Sequence, residues 1–460
     1  MVDFNDTIVA LATPPGRSGI GVIRLSGPAS LRALQRLVGC DDFDPQPNVL
    51  VLRNLIDPLT GVTLDQAFVC YFKSPHSFTG EDVVELQCHG SPVLLRAIID
   101  ATLALGARMA TAGEFSLRAV ANGRMNLSEA EAIRDLIDAQ TDAAARQATR
   151  QMNGAISHEL QPLKDQLLGI IVRLESSLEF VEDDLPQLEQ QHLLDQVRRI
   201  RAHFEEMAAT FKRGRLLRDG LRVTLVGRPN AGKSSLFNML LGRSRAIVHE
   251  VAGTTRDAIT ESLGVDGVPV LITDTAGLRT SSDPVEAIGV DRTRREAADS
   301  DLVVVVIDGS QPLGDEDEKA LVEASAHSHV VALNKSDLDT FSEARLRDEA
   351  AALVKTSAIV SVSAKTGAGL ESLRSALLQP FANGTVNNEG LMITNARHHD
   401  LLLRAIEAIA SSENLLQQNA SEELTLVGLH DALRYLGQIS GETTSEQLLG
   451  EIFSTFCIGK

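Results

Sequence analysis

The period of the apolar positions changes three times along the chain. Up to about residue 120, short runs such as DTIVALATPPG, GIGVIRLSGP, LDQAFVCYF and EDVVELQCHGSP alternate with turn residues and with the helical stretches SLRALQRLVG and VLLRAIIDATLALG. Strands close enough to pair antiparallel, mixed with helices, predict a compact α+β domain over residues 1–120. After Asn126 the apolar positions recur at the roughly 3.6-residue period of a helix, in a sequence rich in Ala, Leu, Gln, Glu and Arg. Ser128-Glu129-Ala130-Glu131 reads as a capping box, with Ser128 as the cap and Glu131 reaching back. Only Gly154, Pro162, the EDDLP stretch at 182–186 and Gly214 punctuate the pattern, so residues 121–218 predict several helices of bundle type.

From 219 to 382 the texture changes again. The runs LRVTLVG, GVPVLITDTAG, LVVVVIDGS, HVVALNKSD and IVSVSAKTG are almost continuously apolar, with helical segments between them. A parallel sheet covered on both faces requires such strands. FANGTVNNEG is a polar linker, and helical texture returns in residues 383–460. Helical blocks on both sides predict that the α/β unit is inserted into one helical domain; two independent helical domains are the alternative.

The strand pattern over Leu221–Val226 runs straight into Gly227-Arg228-Pro229-Asn230-Ala231-Gly232-Lys233-Ser234, which matches G-x-x-x-x-G-K-[ST], and then into a helical pattern. Glycines let the backbone curl so that N–H groups converge on a β-phosphate. Lys233 reaches the β and γ oxygens, and the Ser234 hydroxyl can ligate Mg²⁺. Asn230, Ala231, Gly232, Lys233, Ser234 and Ser235 are the expected phosphate-loop contacts. The fold class is therefore multidomain α/β and α: an N-terminal α+β domain, a helical domain and an inserted Ras-like P-loop α/β domain.

The same unit carries Asp274-Thr275-Ala276-Gly277 at a strand end, where an Asp can hold Mg²⁺ through water and the Gly277 N–H can sense a γ-phosphate. Asn334-Lys335-Ser336-Asp337 and Ser363-Ala364-Lys365 follow later strands. The Asp337 carboxylate can accept from guanine N1–H and its exocyclic amine, which adenine does not offer. In this order the motifs specify GTP. Gly253-Thr254-Thr255-Arg256-Asp257 is the threonine-bearing loop expected to close over Mg²⁺ and the γ-phosphate. Ras-like GTPases carry a water-positioning Gln after the glycine of DxxG, but here that place is Leu278. Arg279, Asp283 or Glu286 could take over when the loops order, through dimerisation or a monovalent cation.

Composition narrows the class further. With 43% hydrophobic and 23% charged residues and no run near the roughly 18 apolar residues of a membrane span, the chain reads as an ordinary globular protein. An acid stands where a signal peptide would carry Lys or Arg, which implies a cytoplasmic location. The net charge of −19 argues against a broad polyphosphate-binding surface but leaves room for RNA at a local basic patch. Cys40, Cys70, Cys88 and Cys457 are scattered without a C-x-x-C pair, so free thiols are expected. The ending Cys457-Ile458-Gly459-Lys460 is a poor prenylation signal. A thiol there could attack a pyrimidine at C6, yet no activating partner is visible.

The ordered set ATPPGRSGIGVIRLSG, SFTGEDVVELQCHG, GEFSLRAVANGRMNLSEAEAIRDLIDA, GRPNAGKSSLFNML, AGTTRD, DTAGLR, NKSD and terminal FCIGK resembles the MnmE (TrmE) family of bacterial tRNA-modification GTPases, over nearly the whole chain. The resemblance implies an N-terminal domain that dimerises and binds a 5-formyl-tetrahydrofolate-type folate, and a complex, heterotetrameric or larger, with the flavoprotein MnmG (GidA). FAD belongs to that partner alone. Together they would modify C5 of the wobble uridine (U34) of certain tRNAs to an aminomethyl-type group, carboxymethylaminomethyl included. Carried over by motif, the folate contacts are Arg24, Glu85, Arg124 and Lys460. Asn230 with His249, Val251 and Thr254 would hold K⁺, Ser234 and Thr255 would ligate Mg²⁺, and Glu286 would orient the attacking water. K⁺ would then supply the charge that an arginine finger supplies elsewhere. Two other classes compete: an Era-like GTPase switch gating ribosome or RNA assembly, and a folate-sensing regulatory switch. An Era-like protein should carry a KH module after its G domain, whereas this tail is helical.

Overall fold

The computed structural model describes residues 5–179, 187–242, 260–274, 300–354, 358–381, 390–418, 420 and 422–459. They divide into two compact units, Met1–Arg134 with Met152–Leu160 and Arg434–Lys460, and Asp135–Gln151 with Gln161–Leu433.

The first unit is built on β1 (Ile8–Leu11), β2 (Ile20–Ser26), β3 (Val51–Ile56), β4 (Thr63–Phe72), β5 (Val83–His89) and β6 (Arg108–Met109). They form a six-stranded sheet in the order β3-β4-β5-β2-β1-β6, antiparallel except for β1 with β6. The period-2 alternation of strands decides what each face holds. Ile23 and Leu25 of β2 and Val84 and Leu86 of β5 pack with Leu34, Leu37, Leu95 and Ile98 of the helices Ser30–Val38 and Pro92–Ala104. Arg24 and Glu85, one position out of step, fall on the opposite face, directly across the ladder from one another. The C-terminal tail returns to this unit: Ala112 and Ile458 form an isolated antiparallel bridge, and Gly113 donates its N–H to the Cys457 carbonyl at 3.3 Å.

The capping box lies two residues before the expected one. The helix Leu127–Asp138 is capped by Asn126, whose Oδ1 accepts from the Glu129 N–H, while the Glu129 carboxylate accepts from the Asn126 N–H, both at 2.9 Å. Ser128 is inside the first turn and donates to Asn126 Oδ1. The reason is burial: Leu127 and Ala130 pack with Phe453 and Phe456, so the helix must already be turning at Leu127.

In the second unit, β7 (Leu221–Val226), β8 (Thr260–Val265), β9 (Val268–Asp274), β10 (Leu302–Asp308), β11 (His329–Asn334) and β12 (Ala358–Ser361) make a sheet in the order β12-β11-β10-β7-β9-β8, parallel except for the β8–β9 hairpin. Every residue of β10 and β11 is buried, as an apolar strand covered on both faces should be. Val304 and Val306 pack with Leu236, Leu240 and Leu373, and Val303, Val305 and Ile307 with Leu321, Leu346 and Ala350. The long helices Gln187–Ala209 and Ala396–Gln417 meet through Arg198 and Arg201, whose Nε atoms each donate to Glu413 at 2.9 Å.

Two of the expected helix breakers do not break helices. The helix Ala155–Glu179 runs through Pro162, because the buried stripe Leu163, Leu167, Ile170, Ile171 and Leu174 outweighs the roughly 3 kcal/mol cost of an interior proline. Gly214 lies within the helix Phe211–Asp219, where a Cβ would come 2.2 Å from the Ile393 carbonyl oxygen, so this glycine is a close-packing contact. All four cysteines are free thiols; Cys70 and Cys88 are buried, and burial pushes the Cys88 thiol up to about 12. Among the described residues no helix is long and apolar enough to cross a membrane.

Candidate functional site

At the carboxyl ends of parallel strands the second unit brings together three of the segments expected to bind nucleotide, the phosphate loop, NKSD and SAK. β7 gives way at Gly227, whose φ of +142° only glycine adopts freely, and a Cβ there would lie 2.3 Å from the Val306 carbonyl oxygen of β10. Asn230 (φ +63°) and Gly232 (φ +95°) complete the curl before the helix Lys233–Gly242 begins. The Lys233 ammonium turns back over the loop and donates to the Gly227 and Arg228 carbonyls at 2.7 and 2.9 Å. A curled loop opening a helix, with a lysine held across it, is a ready anion site.

The base-reading segments meet this loop through one side chain. Asn334, at the end of β11, donates from Nδ2 to the Ala231 carbonyl at 2.9 Å and accepts at Oδ1 from the Ala364 N–H at 3.0 Å. It thereby joins the phosphate loop, the NKSD segment and the SAK segment. Asp337 stands exposed, its Oδ1 accepting from the Ser363 hydroxyl at 2.7 Å. That hydroxyl, lying on the carboxylate, holds the Asp337 carboxyl below the usual carboxylate range. Ser363 in turn accepts from the Lys365 and Thr366 N–H groups, so it is fixed in place.

One charged residue of this site was not singled out in the sequence. Asp308, the last residue of β10, accepts from Lys335 Nζ at 2.6 Å and from the Ser310 hydroxyl at 2.6 Å. Its signal was an acid closing an apolar strand in the run LVVVVIDGS, the place where open α/β sheets keep their ligand contacts.

The Ser234 hydroxyl is exposed at the start of the helix, and Asp274 ends β9 in register with Leu225 of β7, which puts its backbone beside the phosphate loop. A serine hydroxyl there fits a Mg²⁺ ion, while the side chain of Asp274 lies outside what the structure describes. Asn230 is exposed on the loop. His249, Val251, Thr254, Thr255, Thr275, Ala276, Gly277, Leu278 and Glu286 lie outside the described residues, as does Lys460.

In the first unit Arg24 and Glu85 form an ion pair, with Nε and Nη2 donating to Glu85 Oε1 at 2.9 and 2.7 Å. Arg24 also donates to the Gly459 carbonyl of the tail at 3.3 Å, and its guanidinium lies over the Phe78 and Phe115 rings at 5.6 and 5.8 Å. Arg124 donates to the carbonyl of Ser77, next to Phe78, at 3.0 Å. Arg24, Glu85 and the tail are thus brought together beside two aromatic rings.

Gly232→Ala is expected to weaken nucleotide binding roughly tenfold or more, since φ is +95° and the new Cβ would come 2.2 Å from Asn334 Nδ2. Equilibrium titration with a fluorescent guanine nucleotide measures this, and unaltered affinity would refute the bridge between the two loops.

Residues 7–124 match the family model described as the GTP-binding protein TrmE N-terminus, and residues 127–457 the one described as the MnmE helical domain. The chain is 41% identical to the tRNA modification GTPase MnmE of Koribacter versatilis, over the full length of both chains. It is 40% identical to the protein of that name from Aquifex aeolicus, over 99% of this chain and 100% of the other. Among solved structures it resembles the G domain of the T. maritima FeoB iron transporter, at 26% identity over 35% of this chain and 99% of that one, with a TM-score of 0.28.

Proposed function

The chain belongs to the MnmE family, and from that premise we propose that it hydrolyses GTP in the service of tRNA modification in the cytoplasm. The observation that carries the nucleotide half of this reading is Asn334, which ties the phosphate loop to both base-reading segments. The tRNA half is supported by relatives of the same length that bear the name tRNA modification GTPase.

In finer detail, the proposed domains are 1–120 for folate binding and dimerisation, 121–218 and 383–460 for the helical domain, and 219–382 for GTP. Ser234 and Thr255 would hold Mg²⁺, and Asn230, His249, Val251 and Thr254 would hold K⁺. When bound, the two cations would neutralise charge developing on the phosphates. Lys233 binds the β and γ oxygens, Glu286 orients the attacking water, and Asp337 reads the base. Arg24, Glu85, Arg124 and Lys460 would hold a formyl-tetrahydrofolate. A homodimer working with the flavoprotein MnmG would modify C5 of the wobble uridine.

Mass spectrometry of tRNA nucleosides from a deletion strain tests the whole reading: the aminomethyl-type wobble uridines should disappear and return with the cloned gene, and an unchanged nucleoside profile would refute it. Potassium tests the catalytic half. Replacing K⁺ by Na⁺ should slow steady-state turnover at least tenfold, the scale expected when a charge on the transferred phosphoryl is removed. Equal rates in the two salts would count against Asn230 as a cation ligand.

A further inference from the structure

The carboxylate of Asp308 lies where no recognised GTPase motif of this chain places a functional group. It closes β10, stands beside Asn334 in the β10–β11 register, and is only 5% exposed. Oδ1 accepts from both the N–H and the hydroxyl of Ser310, at 3.1 and 2.6 Å, which fixes the carboxylate plane. Oδ2 then faces two cations from two different loops: Lys335 Nζ at 2.6 Å and the Arg228 guanidinium at 3.9 Å. Arg228, at the first x of G-x-x-x-x-G-K-[ST], is anchored on its other side by Asp317 at 3.3 Å.

Lys335 is itself unusual. Its φ of +66° is a left-handed conformation that a lysine adopts only when its surroundings impose it. Asn334 before it and Asp308 beside it supply that constraint, and the constrained side chain extends from the segment that carries Asp337. A lysine stem held straight by a charge at its tip offers four methylenes as a flat apolar wall, which suits the face of a purine. Burial pushes the Asp308 carboxyl up, but the Lys335 ammonium and the Ser310 donors outweigh it and keep the group below the usual carboxylate range, so the charge is present at neutral pH.

We propose that Asp308 is a positioning residue for the guanine nucleotide: it holds the Lys335 side chain along the base site and links the base-reading loop to the phosphate loop through Arg228, so that it retards nucleotide release. The proposal rests on the GTP reading given above. In this role Asp308 acts through its two cationic neighbours. A purely structural role, capping the turn at Ser310, is the competing account.

Full-length protein loaded with a fluorescent GDP analogue and chased with excess GDP separates the two. Asp308→Asn keeps the shape and the Oδ1 acceptor for Ser310 while removing the charge, and should speed release roughly tenfold, the scale of one lost charge-assisted hydrogen bond. Lys335→Met should speed it by a similar factor. The double variant should fall well short of the product of the two single factors, because Asp308 works mainly through that lysine, its 2.6 Å partner, and only secondarily through Arg228 at 3.9 Å; a structural role would add its effect to the lysine's. Release at the wild-type rate from Asp308→Asn, or additive factors in the double variant, would overturn the proposal. If Asp308→Asn does not fold, the lysine series decides: Lys335→Arg, which can still pair with Asp308, should recover most of the retention that Lys335→Met loses, and equal release from both overturns it. Failure of the GTP reading is distinct, for then the wild-type protein itself would not retain the guanine probe.

Discussion

Asp337→Asn is expected to exchange the preferred base, weakening GTP and strengthening xanthosine triphosphate. Guanine presents N1–H and its exocyclic amine to the carboxylate, both donors. Asn sets an amide N–H against one of them and removes the charge, whereas xanthine offers a carbonyl oxygen where guanine has the amine. Truncating one side of a charged hydrogen-bonded pair costs about 2–5 kcal/mol, or roughly 30- to 4,000-fold in affinity. The upper part of that range applies if the carboxylate is oriented beforehand, and it is: Ser363 donates to Oδ1 at 2.7 Å, and Ser363 is itself held by two backbone N–H groups. The same hydrogen bond fixes the pH dependence. The ionised carboxylate is the form that binds guanine, and its pKa is lowered by Ser363, so this group should cause no loss of GTP affinity between about pH 5 and 8. Loss begins only on further acidification. Parallel titrations of GTP and xanthosine triphosphate against wild type and variant decide the matter, and an unchanged GTP dissociation constant in the variant would remove Asp337 from the base site.

What could be read from the sequence follows the range of the interactions. The phosphate loop is a contiguous signal with a strand before it and a helix after it, and it lies where expected. The strands β10 and β11 were visible because both their faces are buried, leaving no polar alternation to confuse the period. Contacts that depend on register were invisible. Arg24 meets Glu85 across 61 residues of sequence, and Lys335 meets Asp308 across 27, in each case because the ladder sets the strands in that register. A chain read one segment at a time gives no means of choosing these partners. The capping box erred for a related reason. The local pattern at Ser128 was as good as that at Asn126, and only the packing of Leu127 on Phe453, far along the chain, chose between them.

Arg118→Met is expected to destabilise the first unit by about 3–5 kcal/mol, although Arg118 is none of the candidate site residues. The Arg118 side chain is fully buried, with Nη1 donating to the Asp6 carbonyl at 3.0 Å and to Glu81 at 3.1 Å, and Nη2 donating to the Asp6 carboxylate and to Glu114 at 3.0 Å. Removing the cation leaves three carboxylates converging on one point, with Arg108 pairing with Asp6 and Glu114 and the Ser26 hydroxyl alone donating to Glu81 among the described side chains. Glu114 shows how strongly the cluster is coupled to proton binding. Burial alone would push its carboxyl up, yet the Arg108 guanidinium, the Thr111 N–H and Arg118 together bring it down from 4.5 to about 2. The folded value is below the unfolded one, so Glu114 contributes stability that is fully present above about pH 4.5 and is lost as pH falls towards 2. That contribution is about 3 kcal/mol at neutral pH. In Arg118→Met the folded value rises, and acid unfolding of the unit should begin at a higher pH than in the wild type. Hydrogen exchange of the β1 and β2 amides, followed by mass spectrometry from pH 7 downwards, reads both effects at once: protection should drop at neutral pH and vanish earlier on acidification. Wild-type protection at both ends would mean that the remaining arginine and solvent compensate the cluster, and that its burial contributes little to holding the sheet together.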